Sequence, residues 1–270
     1  MSCPHFMQAE TYIMRKFFSY LPLIVLPVFG AFGFVLRRLE LRTVFDPVTG
    51  LAERFSPTSL TLLFLSLAVT LGVVLFFASR QKKEADQVEF YPKSVFLRAL
   101  MGILALVSLI AVLLNGLESL PIVRGIPQVL WLIFGTLSGL GLLGITLFPR
   151  RRALPYLFLL PILFVLFWLT TFYLSHSLNP VILRYSYAVL AKVFILLSFY
   201  YLARFTYGRG KPRATLAMIS LSVYFTGTTL ADGPGILQQI VLVGFVLILL
   251  IFQAVLLQNY MERDVPCAML

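Results

Sequence analysis

Lys192 is the one charge set well inside an apolar stretch of this chain, in the run Ala188-Val-Leu-Ala-Lys192-Val-Phe-Ile-Leu-Leu. A lysine at the centre of a membrane-spanning helix costs roughly 2.5–3.5 kcal/mol on insertion scales, so it needs water, a partner or a route to the interface. Two chemistries fit it. The simpler is a structural ion pair, or a stem that snorkels outward so that the ammonium reaches the headgroups. The other is a site for a solute or ion.

Ser220, Tyr224, Thr228 and Asp232 follow at intervals of four. Each step of four turns a helix by only about 40°, so the four form a slowly winding polar ribbon. Lipid cannot satisfy hydroxyls, so the ribbon must face protein or a water-filled cavity. Gln238 opens the next segment, just beyond the Gly233-Pro234-Gly235 turn, and Glu118 occupies a comparable place earlier in the chain. The expected substrate- or ion-binding set is therefore Lys192, Asp232, Thr228, Tyr224, Gln238 and Glu118. The ammonium is expected to point outward, toward the ribbon or Gln238 and away from lipid, with Tyr224 and Thr228 nearest its level.

Other residue patterns point away from catalysis. There is no H-E-x-x-H, G-x-S-x-G or phosphate-binding loop, and the two His lie far apart, so no catalytic residue, metal ligand or cofactor is expected. Cys3 and Cys267 make no ligand cluster. Cys267-Ala-Met-Leu270 fits a prenylation box, which is a weak pattern in a chain already held by many spans. Gly135 and Gly139 form a G-x-x-x-G pair, the mark of closely packed helices, and its expected use is within the chain.

The elements that must position these residues follow from composition. The chain has 270 residues, 60% of them hydrophobic and 12% charged. A soluble domain would carry about twice that charge. Eight apolar runs are each long enough to span a bilayer: 17–36, 59–79, 97–115, 128–148, 154–175, 185–206, 214–231 and 236–257. They are continuous and about twice the length of a barrel strand, so helices are expected. The first run ends in Arg37-Arg38 with no small-residue cleavage site, and it reads as a span and not as a signal peptide. The expected fold is all-α: a polytopic membrane protein, a bundle of eight transmembrane helices in a single transmembrane domain over 1–270, with no soluble domain.

Net charge is +11. The basic residues sit beside the apolar runs, so they read as topology signals and headgroup contacts, not as a nucleic-acid surface. With eight spans they divide 15 against 6, which places both termini in the cytoplasm of a plasma (inner) membrane protein. The misfit is the outer loop 37–58, which holds four of the six, together with Glu40, Asp46 and Glu53 around the turn signal Asp46-Pro47-Val48-Thr49-Gly50.

Segments 1–4 also resemble segments 5–8. Pro22 and Pro27 match Pro155 and Pro161, Phe76-Phe77-Ala-Ser-Arg80 matches Tyr200-Tyr201-Leu-Ala-Arg204, and Glu118 matches Asp232. These matches suggest a parallel 4+4 internal repeat with halves 17–148 and 154–257. The expected role is a noncatalytic membrane-embedded binding or scaffold component, in contact with the bilayer and other membrane subunits. The alternative is a small-solute or ion permease using a polar site between helices 6, 7 and 8.

Overall fold

The computed structural model describes residues 5–45, 56–79, 91–92, 94–119, 125–148, 154–176, 185–233 and 235–262, with side chains from Tyr20 in the first helix, to Leu117 in the third and to Asn259 in the last. Eight helices stand among them: α1 His5–Thr43, α2 Pro57–Ala78, α3 Val95–Ser119, α4 Ile126–Leu147, α5 Leu154–His176, α6 Ser186–Thr206, α7 Pro212–Thr229 and α8 Ile236–Glu262. A 3-10 turn, Leu230–Asp232, extends α7. All eight are long and apolar enough to cross a membrane, and the chain is a multi-pass integral membrane protein.

The helix starts follow local chemistry. Proline stands in the first turns of α2, α4 and α7, where its missing N–H is no loss. α7 and α8 are separated by a turn in which Gly233 has φ 65°, a left-handed conformation that suits glycine. The end of α4 leaves carbonyls without helical donors. The Tyr91 hydroxyl donates to two of them, Ile145 O at 2.6 Å and Thr146 O at 3.1 Å. Burial pushes that phenol up to about 12, so it stays a donor at any physiological pH.

Packing makes a ring of six. α3 lies along α4, α4 along α5, α5 along α6, α6 along α7, α7 along α8, and α8 returns to α3. α1 packs on the outside of α7, and α2 flanks α1 and α7. α7 and α8 are the most buried spans, while large apolar side chains of α1, α2 and α3 such as Val28, Phe64 and Ile103 remain exposed to the bilayer. Gly135 and Gly139 sit where α4 meets α3 and α5. A Cβ at Gly135 would touch Val112 and Phe164, and one at Gly139 would touch Leu109.

Two sequence expectations need revision. The first helix does not stop at residue 36. It continues to Thr43, so Arg37 and Glu40 are helical and buried, not part of a solvated outer loop. The reason is that α2 and α7 supply partners for their charges. The 4+4 repeat is not confirmed: α6 lies along α7, but α2 and α3, the equivalent pair, have no packing of similar extent. The Asp46–Gly50 turn and the Cys267–Leu270 tail lie outside the described residues.

Candidate functional site

The starts of α1 and α5 and the ends of α6 and α8 share one end of the bundle, here called proximal. The opposite, distal end carries a cavity of about 860 Å3 in the mouth of the six-helix ring. Each ring helix contributes: Asn115 from α3, Trp131 from α4, Phe172 from α5, Lys192 from α6, Asp232 from the turn after α7 and Gln238 from α8.

Lys192 forms the deep part of this cavity. It is six residues into α6, about 9 Å from the helix start at 1.5 Å per residue. It is 3% exposed. The side chain reaches back one turn toward the distal end, where Nζ donates to Ala188 O at 3.3 Å. Nζ lies 3.7 Å from the centre of the Phe172 ring and 5.1 Å from that of Trp168. Cations are attracted to ring faces at such distances, and the attraction grows as water is removed. These rings, together with His176, recur every four residues on α5. His176 continues the aromatic wall to Tyr185, their ring centres 4.0 Å apart.

The ammonium therefore does point distally and not into lipid, but its near neighbours come from α5 and not from the ribbon of α7. Tyr224 and Thr228 do not accept its hydrogen bonds. They are fully buried on the opposite side of α7. The Tyr224 hydroxyl is 2.9 Å from Ser66 Oγ on α2, and Thr228 Oγ1 donates to Tyr224 O in its own helix. Ser220, at the start of the ribbon, accepts from Gln253 Nε2 on α8. The ribbon thus winds past three neighbours and is spent on structure, except at its last member.

That last member, Asp232, is held from outside the ring. Arg37 Nε donates to Asp232 Oδ1 at 2.7 Å, and Arg37 Nη1 donates to Glu40 Oε2 at 2.7 Å. Thr229 Oγ1 donates to Asp232 Oδ2 at 2.8 Å, and Ser59 Oγ to Glu40 Oε1 at 2.6 Å. Arg37 is 1% exposed and also lies over the Tyr187 ring at 5.0 Å. This network was not foreseen from the sequence. Its signal was present as Arg37 and Glu40 at i, i+3, the spacing of a helical ion pair.

The three buried charges, Arg37, Glu40 and Lys192, and the part-buried Asp232 sum to zero, but they are not arranged in two pairs. Asp232 and Glu40 both bond Arg37, and Asp232 acts on Lys192 only through space. Among the described residues, no carboxylate lies within salt-bridge distance of Lys192. Gln128, on the cavity wall, has its Oε1 buried without a hydrogen-bond partner among the described residues. Of the expected site residues, the structure brings Lys192, Asp232 and Gln238 to one cavity and sends Tyr224 and Thr228 elsewhere. The Glu118 side chain lies outside the described residues. Compared with family models, curated proteins and solved structures, the chain has no match.

Proposed function

We propose that this protein is a membrane-embedded binding protein whose distal cavity takes a small organic anion with an apolar or aromatic body. The observation that carries the reading is Lys192: a buried ammonium that faces a cavity, where the acid among the described lining residues, Asp232, is already bonded to Arg37. A cavity of 860 Å3 falls within the range of about 300–1,000 Å3 usual for small-molecule sites. Its walls suit an apolar or aromatic body, since Trp131, Trp168 and Phe172 line it, while Gln128 and Gln238 offer hydrogen bonds. An anion against Lys192 would gain a charge-assisted bond that no described carboxylate makes.

Binding is favoured over transport by what lies below the lysine. Phe164, Phe199 and Phe245 meet edge to face at 5.6–6.0 Å, and Phe158 meets Phe252 at 5.9 Å. All five are essentially unexposed and fill the middle of the ring. A permease working from the same site would have to part these rings. With the basic asymmetry placing both termini in the cytoplasm, the cavity faces outward and the protein receives its ligand from outside.

Both tryptophans of the chain line the cavity, so their emission reports its occupancy. Benzoate should shift the emission of the purified protein in a saturable way, and the isosteric neutral benzamide should bind about tenfold more weakly or not at all, as expected for loss of a charged hydrogen bond. Lys192→Met should abolish the difference between the two probes. Equal responses to both in the wild type would defeat the anion reading. Uptake of labelled benzoate into proteoliposomes, lost in Lys192→Met, would convert the reading to a permease.

A further inference from the structure

The proximal end carries a second basic site. No Asp or Glu occurs between Ser119 and Ala231, while ten Lys or Arg do, seven of them in 150–152 and 204–213. Two of the seven are gathered by backbone geometry. α6 ends in a glycine cap: Gly208, with φ 68°, lets its N–H bond Phe205 O at 3.1 Å and the N–H of Arg209 bond Arg204 O at 3.0 Å. The reversal returns Arg209 to the side of Arg204. Together with Leu159 and Ile162 of α5, and with Tyr200 and Tyr207, they line a groove of about 520 Å3 on the face between α5 and α6.

The groove has two zones. Leu159, Ile162 and Ala203 make an apolar floor within the span, Arg204, Tyr207 and Arg209 stand at the proximal end of α6, and Tyr200 lies one turn deeper than Arg204. Arg204 lies 6.0 Å from the Tyr200 ring and 5.7 Å from the Tyr201 ring, which orient it without neutralising it. Among the described residues no acid lines the groove and neither arginine makes an ion pair. A guanidinium offers forked donors that match a phosphate. A ligand that satisfies both zones has a phosphate at one end and a hydrocarbon chain at the other.

We propose that this groove holds an anionic phospholipid of the adjacent leaflet, with its phosphate on Arg204 and Arg209 and one acyl chain along Leu159 and Ile162. The proposal is independent of the distal cavity. In the orientation given above, the groove opens to the cytoplasmic leaflet, where anionic lipids concentrate and basic groups draw them in.

The test uses the delipidated full-length protein in neutral detergent, titrated with phosphatidylglycerol or phosphatidylcholine and read by native mass spectrometry and thermal unfolding. The wild type should retain phosphatidylglycerol in preference to phosphatidylcholine and be stabilised by it. Arg204→Gln with Arg209→Gln should weaken that retention by about fivefold for each arginine. Leu159→Trp, which fills the floor and keeps both charges, should also lose it, and this variant decides the matter if the arginine variant fails to fold. Lys192→Met should leave it unchanged. Equal retention of the two lipids, or unchanged retention in Leu159→Trp, would overturn the proposal. Inorganic phosphate reproducing the full stabilisation would overturn it too, since the site would then belong to a free anion.

Discussion

Arg37 and Lys192 are both buried cations, and their surroundings differ in kind. Arg37 meets two carboxylates at 2.7 Å, each braced by a hydroxyl. Lys192 meets ring faces and one carbonyl. Taking an ion from water costs several kcal/mol, and good pairing only roughly offsets that, whereas removing one partner leaves the other buried and exposed to the full cost. Arg37→Leu should therefore destabilise the protein by about 3–5 kcal/mol. The triple variant Arg37→Leu, Glu40→Gln, Asp232→Asn should recover most of that loss in thermal or denaturant unfolding. Recovery of nothing would show that the arginine matters through packing and not through charge. Lys192 was legible in the sequence because a lone charge in an apolar run has no camouflage. Arg37 was not, because a following Arg38 and a nearby turn made it look like the start of a loop. The distinction needed the distance to Asp232, 195 positions away in sequence.

The elements came through the hydropathy pattern nearly intact, since each bilayer crossing demands about 20 apolar residues whatever the tertiary fold. What the pattern does not carry is which face of a helix meets which neighbour. The period-four ribbon on α7 illustrates this: Ser220, Tyr224 and Asp232 bond α8, α2 and α1 in turn while Thr228 bonds its own helix, because a helix crossed by several partners presents successive turns to different ones. The crossing that sets Arg37 against Asp232 depends on glycine. A Cβ added at Gly227 of α7 would stand 2.9 Å from Gly30 Cα and 3.0 Å from its carbonyl carbon on α1, and a backbone cannot move aside as a side chain can. Gly227→Val should separate α1 from α7 and lower stability by about 1–3 kcal/mol, the usual range for overpacking. Gly72 on α2 offers the contrast, since a Cβ there meets nothing within 4 Å. Gly72→Ala should be neutral or stabilising by up to about 1 kcal/mol, because alanine favours the helix. Equal destabilisation at the two glycines would mean that helix propensity, not the close crossing, governs this interface.

At the scale of the whole molecule, the ring of six helices and the flanking pair divide the work. The ring surrounds the cavity, and Arg37 of α1 bonds Asp232, the acid that lines the cavity with Lys192. The same contact bears on topology. Loops carry the basic residues that orient a membrane protein. Arg37 counts against the 15-to-6 split only while it is read as loop charge. Buried between two carboxylates it has no claim on either membrane face, and the distal side keeps five basic residues against 15. A cytoplasmic proximal end is what this count predicts. Labelling can decide it. With Cys3 and Cys267 replaced by serine, a single cysteine at Thr49 should react in intact cells with a membrane-impermeant maleimide, and one at Lys82 should react only after permeabilisation. The reverse pattern would invert the molecule. The distal cavity would then open to the cytoplasm, and a ligand arriving from outside could not be its occupant.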